Sequence, residues 1–253
     1  MDIVIIGTGN TATVLGRKLK AAGHSIVQIF GRDAEAASSL AYKLGTESTN
    51  YWSVVSREAD IYLLAVSDIA IEELRRELQL GDKTVVHTAA SVSKNILKDT
   101  SSHFGVFYPL QSLKKSSANL PEIPVIIDAS DPETLQLLEG LAGTISENVV
   151  QGDDEYRLKM HLAAVFCNNF TNHIYALMES YCGQHGIDFK LLIPLIQETA
   201  MRLNEMSPVE AQTGPAIRRD ATTIAKHLEL LQNDQRLKDV YELLTRSIQY
   251  KGA

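Results

Sequence analysis

Three groups of residues in this chain have types and spacings suited to chemistry. The first is Gly7-Thr8-Gly9-Asn10-Thr11-Ala12. It follows the apolar run Ile3–Ile6 and precedes a helical pattern in which Val14, Leu15 and Leu19 are apolar while Arg17, Lys18 and Lys20 are charged. A strand, a glycine turn and a helix in this order cradle a dinucleotide pyrophosphate. Gly7 allows the tight turn, Gly9 leaves the phosphate unobstructed, and Ala12 lets the helix approach the strand. The helix N-terminus then presents free N–H groups and the positive end of its dipole to the anion. The same pattern also serves turns that bind nothing, so its position right after a strand matters.

The second group lies at strand ends, where ligands of an open α/β sheet bind. One apolar run ends in Phe30-Gly31-Arg32-Asp33. Arg32 offers a fork for a 2′-phosphate, which favours NADP over NAD. Asp33, one residue on, is the alternative, a partner for an unphosphorylated ribose; Arg32 also reads as a solvated helix-start residue. Ala65-Val66-Ser67 end the next run, small enough to let backbone lie along ribose and nicotinamide, with Asp68 read as a cap of the following helix. His87-Thr88-Ala89-Ala90-Ser91 end another, where Thr88 faces nicotinamide or substrate and Ser91 either joins it or caps a helix.

The third group is His161, Asn168, Asn169 and Asn172 in one long predicted helix. At 100° per residue His161, Asn168 and Asn172 form a stripe, and Asn169 lies about 80° from His161. Asparagine is a poor helix-interior residue. Several beside the apolar LAAVF point to substrate contacts or to a buried hydrogen-bond network. Imidazole, with an ordinary pKa of about 6.5, suits proton transfer near neutrality. His161 is therefore the candidate proton donor or acceptor, and Asn169 and Asn168 the candidates that orient a substrate oxygen or nitrogen. Two further polar stretches, Tyr108-Pro109-Leu110-Gln111-Ser112 and Gln212-Thr213-Gly214-Pro215 with Arg218 and Asp220, read either as site loops or as plain connections.

The elements that must position these groups follow from hydrophobic pattern. Ser25–Phe30, Asp60–Val66, Lys83–His87, Phe104–Phe107 and Pro124–Ile127 read as strands, interleaved with helices over Asp33–Leu44 and Ile69–Leu78. Continuous apolar runs suit a sheet buried on both faces. The fold class is α/β, a Rossmann-type doubly wound, mostly parallel sheet followed by an all-helical C-terminal domain. From Asp153-Asp154-Glu155 onward the pattern is helical: one helix to about His185, another over Phe189–Asn204 that Pro194 kinks near its start, and two over Ile217–Leu231 and Asp234–Gln249. The expected division is 1–152 for dinucleotide binding and 153–253 for substrate binding and dimerisation.

Bulk properties narrow the classes. The 253 residues suffice for one large or two ordinary domains. A net charge of −7 argues against nucleic acid as the main partner. No apolar run reaches membrane-spanning length. The first strand, starting at residue 2 or 3, leaves no leader to expect, and the two cysteines, Cys167 and Cys182, are too few for a disulfide scaffold, so a reduced cytoplasmic setting is expected. No metal-ligand spacing is present, and no metal is expected.

With GTGNTA, HTAAS, YPLQS, KMHLAAVFCNNFTNH and QTGPAIRRD in view, the chain resembles a bacterial family of NADP oxidoreductases that join a Rossmann-like half to a helical domain of unknown function. The family is similar in plan to pyrroline-5-carboxylate reductase, ketopantoate reductase and the 6-phosphogluconate dehydrogenase group. The resemblance implies hydride transfer between NADP and a small carbonyl or imine substrate, and a homodimer formed through the helical domain; the apolar stripes of Ile187–Leu203 and Ile224–Leu244, which need covering, read as its surfaces. It also implies roles for His161 and Asn169. One departure is plain: the Lys-Asn pair that the 6-phosphogluconate dehydrogenase group carries four residues apart is here Lys159 and Ala163. That departure leaves a nucleotide-binding module without turnover as the other reading.

Overall fold

The computed structural model describes residues 1–117 and 122–250. The described residues form two compact units, 1–169 and 170 onward.

The first unit is built on an eight-stranded sheet of order β3-β2-β1-β4-β5-β6-β7-β8. In chain order, β1 (Asp2–Ile6) leads to α1 (Asn10–Ala21), β2 (Ser25–Phe30) to α2 (Ala34–Leu44), and the short β3 (Glu47–Thr49) follows. Next come β4 (Ile61–Leu64), α3 (Asp68–Leu74), β5 (Gly81–His87) and β6 (Ser101–Pro109). Then β7 (Val125–Ala129), α4 (Pro132–Gly143), β8 (Val149–Gln151) and α5 (Asp154–Ala164) complete the regular elements of the unit. Strands β1 to β6 are mutually parallel, β7 runs antiparallel to β6, and β8 is parallel to β7.

The apolar runs work as expected of a strand covered twice. On β1, Ile3 and Ile5 pack into one core with α1, α2 and α4, while Val4 and Ile6 pack into the other with α3 and the segments around Val55 and Leu97. All four are fully buried. Because β1, β2, β4, β5 and β6 are parallel, their carboxyl ends share one edge of the sheet, the edge where such folds bind ligands.

After α5 the helical backbone widens into a π-helical turn over Val165–Phe170. The second unit contains α6 (Thr171–Gln184), α7 (Ile193–Met201), α8 (Ala221–Leu230) and α9 (Gln235–Gln249). Pro194 stands in the first turn of α7, where its missing N–H costs nothing, so it starts that helix and does not kink it. Asp220 caps α8 and Asp234 caps α9 through the Thr223 and Leu237 N–H groups. Asp220 is therefore a helix cap and not a free site carboxylate. Among the described residues of this unit, only Cys182, Ala216 and Leu237 are buried apolar side chains.

Candidate active site

A cleft of about 450 Å³ lies at the carboxyl ends of β1, β2 and β4. Gly7, Thr8, Gly9, Asn10, Thr11, Arg32, Ala65, Val66 and Ser67 all line it. The two glycines have different reasons to be there. Gly7 has φ +129°, and a Cβ there would collide with the Ala65 carbonyl oxygen of the neighbouring strand end. This glycine is a requirement of folding. At Gly9 a Cβ would meet nothing within 4 Å. Its bareness keeps the cleft open and has no packing cause. The helix α1 that begins here has no side-chain cap and no acidic residue in its first turn. An uncapped, acid-free helix start facing a cleft is an anion seat. The residues present thus fit a dinucleotide pyrophosphate.

The side chains around this seat are partly committed. The Asn10 side-chain oxygen accepts the Lys115 N–H at 3.1 Å, tying the segment after β6 to the start of α1. Arg32 pairs with Glu73 of α3, Nη1 to Oε2 3.2 Å, and both line the cleft. Asp33 accepts the Glu35 and Ala36 N–H groups and so caps α2. Gly31 is bare because Thr8 Cγ2 and Ala37 Cβ already fill the space of a side chain.

Three strand-end residues differ from expectation. Thr88 does not line the cleft: it is buried, and its hydroxyl donates to the Leu64 carbonyl, as does its N–H. Asp68 is not the cap of α3; Ser67 holds that position, and Asp68 instead accepts the Ser91 hydroxyl. Ser91 accordingly caps no helix.

Farther along the same edge, beyond the tip of β5, a hollow of about 350 Å³ is lined by Tyr108, Gln111, Ser112, His161, Asn168 and Asn169, among others. The Tyr108 hydroxyl and His161 Nδ1 share a hydrogen bond of 3.0 Å. Burial pushes the Tyr108 hydroxyl above the usual tyrosine pKa, against a smaller opposing pull from the Arg157 charge. The helical arithmetic that set Asn169 apart and joined Asn172 to His161 fails here. The π-helical turn advances each residue by less than an α-helix does, so Asn168 and Asn169 both reach the hollow. Asn172, past that turn, lines a different hollow in the second unit with Tyr175 and Glu179.

Two buried groups stand behind this edge, and neither was singled out from the sequence as more than a strand end or a helix start. His87, at the tip of β5, is fully buried. Its Nδ1 accepts the Ala89 N–H at 3.2 Å, and Nε2 has no partner among the described residues. Burial, helped by the Arg157 charge, lowers its pKa to about 4. Arg157 of α5 is also fully buried. It donates to the Ala90 and Val92 carbonyls and to Asp154, holding the segment after β5 in place. A charged residue four before His161 on an amphipathic helix gives no sign of such burial; the strand-tip position of His87 is the one available clue. Lys159, by contrast, is exposed and pairs with Glu155.

Among the described residues no cluster of three or more His, Cys, Asp or Glu is placed to hold a metal. No described helix is long and apolar enough to cross a membrane.

Comparison with known proteins agrees with this geometry. Residues 2–91 match the family described as NADP oxidoreductase coenzyme F420-dependent, and residues 123–248 match a domain of unknown function, DUF2520. No curated protein matches the chain. A crystal structure described as a "putative NADP oxidoreductase" from Bacteroides fragilis is 40% identical, with 98% of this chain and 97% of that one covered and a TM-score of 0.90. A Thermotoga maritima protein is 22% identical over 98% of this chain and 99% of its own, with a TM-score of 0.78. A 1-pyrroline-5-carboxylate reductase from Streptococcus pyogenes is 16% identical over 98% of both chains, with a TM-score of 0.69. These last two show a shared fold. With its nucleotide cleft, its N-terminal match and its 40% identical relative, the chain belongs to the family of NADP oxidoreductases that join a Rossmann-type domain to a DUF2520 domain.

Proposed function

We propose that the protein is an NADP-dependent oxidoreductase acting on a small carbonyl or imine compound. The observation that carries this reading is the Tyr108–His161 hydrogen bond, in a hollow two strands along the same sheet edge from β4, the nearest strand of the cleft. Strands β4 and β6 flank β5, so the spacing is about 10 Å, within the reach of a dinucleotide. NADP is favoured over NAD because Arg32 is at the cleft, while Asp33, which also lines it, gives its Oδ1 to the cap of α2.

When bound, the nicotinamide supplies or accepts the hydride. The chain's own residues handle the proton. In the reductive direction, His161 enters protonated on both nitrogens and its Nδ1–H donates to the Tyr108 oxygen. The ring then passes its other proton to the substrate oxygen or nitrogen and is left neutral. Asn169 and Asn168 hold that heteroatom with their side-chain amides. Tyr108 fixes the ring and its tautomer.

We assign nucleotide binding to 1–152 and substrate contact and association to 153–253. By this division α5 carries substrate residues although it packs within the first unit. We also infer a homodimer. The second unit buries few apolar side chains of its own, while Leu191, Leu195 and Leu230 are 74%, 64% and 65% exposed. A helical unit with so little core needs a cover. Sedimentation should give a dimer; a monomer at micromolar concentration would refute this. The two cysteines are unpaired, one exposed and one buried, which suits a reduced cytoplasmic setting.

The test of the function is fluorescence titration with NADPH and NADH, followed by absorbance decay with a panel of keto acids and cyclic imines. NADPH binding and turnover are expected. His161→Ala and Tyr108→Phe should each cut kcat by at least ~100-fold at unchanged NADPH affinity. Tight NADPH binding with no turnover on any substrate would favour the module that binds without reacting.

A further inference from the structure

We propose that Glu73 is a specificity-determining residue that moderates the preference for a phosphorylated ribose. This rests on the reading of the cleft as a nucleotide site. At the β2 tip Gly31 has no side chain, and Asp33, which lines the cleft, has its Oδ1 engaged by two N–H groups of α2. The carboxylate paired with Arg32 at the cleft comes from α3, where Glu73 Oε2 lies 3.2 Å from the guanidinium. Both side chains are largely exposed, at 59% and 74%, so the pair can open and re-form.

The two nucleotides make opposite demands on this pair. A 2′-phosphate carries a charge of about −1.5 to −2. To grip it, Arg32 must release Glu73, and Glu73 then faces the phosphate as a like charge. An unphosphorylated ribose asks for neither change. Its 2′-hydroxyl can donate to Glu73 while the carboxylate stays paired with Arg32. Arg32 therefore pulls the site toward NADP, and Glu73 pulls it toward NAD. The chain should accept both, with a smaller preference for NADP than Arg32 alone would give.

The experiment measures dissociation constants for NADPH and NADH by fluorescence titration on the wild-type chain, Glu73→Gln and Glu72→Gln. Glu72 lies one residue away on α3 and pairs with Arg75, so its change removes the same charge without touching the cleft pair. Thermal melting checks that each variant is folded. Removing Glu73's charge should tighten NADPH by about three- to fivefold. NADH should change by less than about twofold, because the glutamine oxygen still accepts from the ribose. Glu72→Gln should leave the ratio of the two constants unchanged. A ratio in Glu73→Gln equal to the wild-type ratio overturns the role of Glu73 while the nucleotide reading stands. A wild-type chain that binds neither nucleotide overturns both.

Discussion

Acid should weaken this fold through one buried ring. His87 is fully buried at the tip of β5, with a pKa lowered to about 4 by burial first and by the Arg157 charge second. In the unfolded chain its pKa returns to the ordinary 6.5 or so. The native state thus keeps the ring neutral while the unfolded state takes up a proton below pH 6.5. The stability that the neutral ring contributes is whole above pH 6.5 and is lost as pH falls toward 4, with no further loss below that. Fully expressed, the gap is worth about 3 kcal/mol. About 2 kcal/mol of it falls between pH 7.5 and pH 5. Urea unfolding followed by tryptophan fluorescence reads the first unit alone, because the single Trp, Trp52, stacks on Phe30 there at 3.6 Å. His87→Asn can still accept the Ala89 N–H, so it is the matched control. Its absolute stability will drop, but its loss between pH 7.5 and pH 5 should be smaller than the wild-type loss by about 2 kcal/mol. Parallel pH dependence in the two proteins would refute the reasoning. So would an NMR titration placing the His87 ring near 6.5, a measurement that does not depend on the variant folding.

The two glycines of the turn should separate folding from binding. Gly7→Ala puts a Cβ against the Ala65 carbonyl at a positive φ and should cost at least ~2 kcal/mol in urea unfolding, whereas Gly9→Ala should unfold like wild type yet bind NADPH at least ~10-fold more weakly. Equal behaviour of the two variants in both assays would contradict the division of roles. Arg157→Met removes the donors that hold the Ala90 and Val92 carbonyls and should cost about 2–4 kcal/mol by the same unfolding assay. It should also raise the pKa of His87, since the Arg157 charge helps depress it; an NMR titration that leaves His87 at its wild-type value would argue against that coupling.

The sequence announced some of these features and hid others. The apolar runs of β1 and β4 were plain because a strand buried on both faces carries few polar positions to blur it, and β2 and β5 kept enough of that pattern around Gln28 and Thr84. Strands β3 and β8 were missed because Glu47–Thr49 and Val149–Gln151 are three-residue edge strands with mostly exposed or half-buried residues. Helix α4 escaped notice although Asp131-Pro132 at its start is a strong signal, with Asp131 accepting the Thr134 N–H. At the site, the glycine turn and the small strand-end residues were legible because backbone geometry demands those types. The Tyr108–His161 bond joins residues 53 apart, and no local pattern records such a pairing. Nothing in Val165–Phe170 marks a π-helical turn, so arithmetic at 100° per residue put Asn169 off the site and Asn172 on it.

The same turn limits how far the chain length can drift. Excising one residue between Val165 and Phe170 would let the main chain recover ordinary i→i+4 bonding, a change that local energetics would welcome. Asn169 would then stand seven residues after His161, about 20° from it at 100° per residue, so its amide would stay on the imidazole's side of the helix. A one-residue deletion ahead of Asn168 should therefore be tolerated by the fold and the hollow alike, whereas one further residue inserted there would turn both asparagines about 100° away from His161.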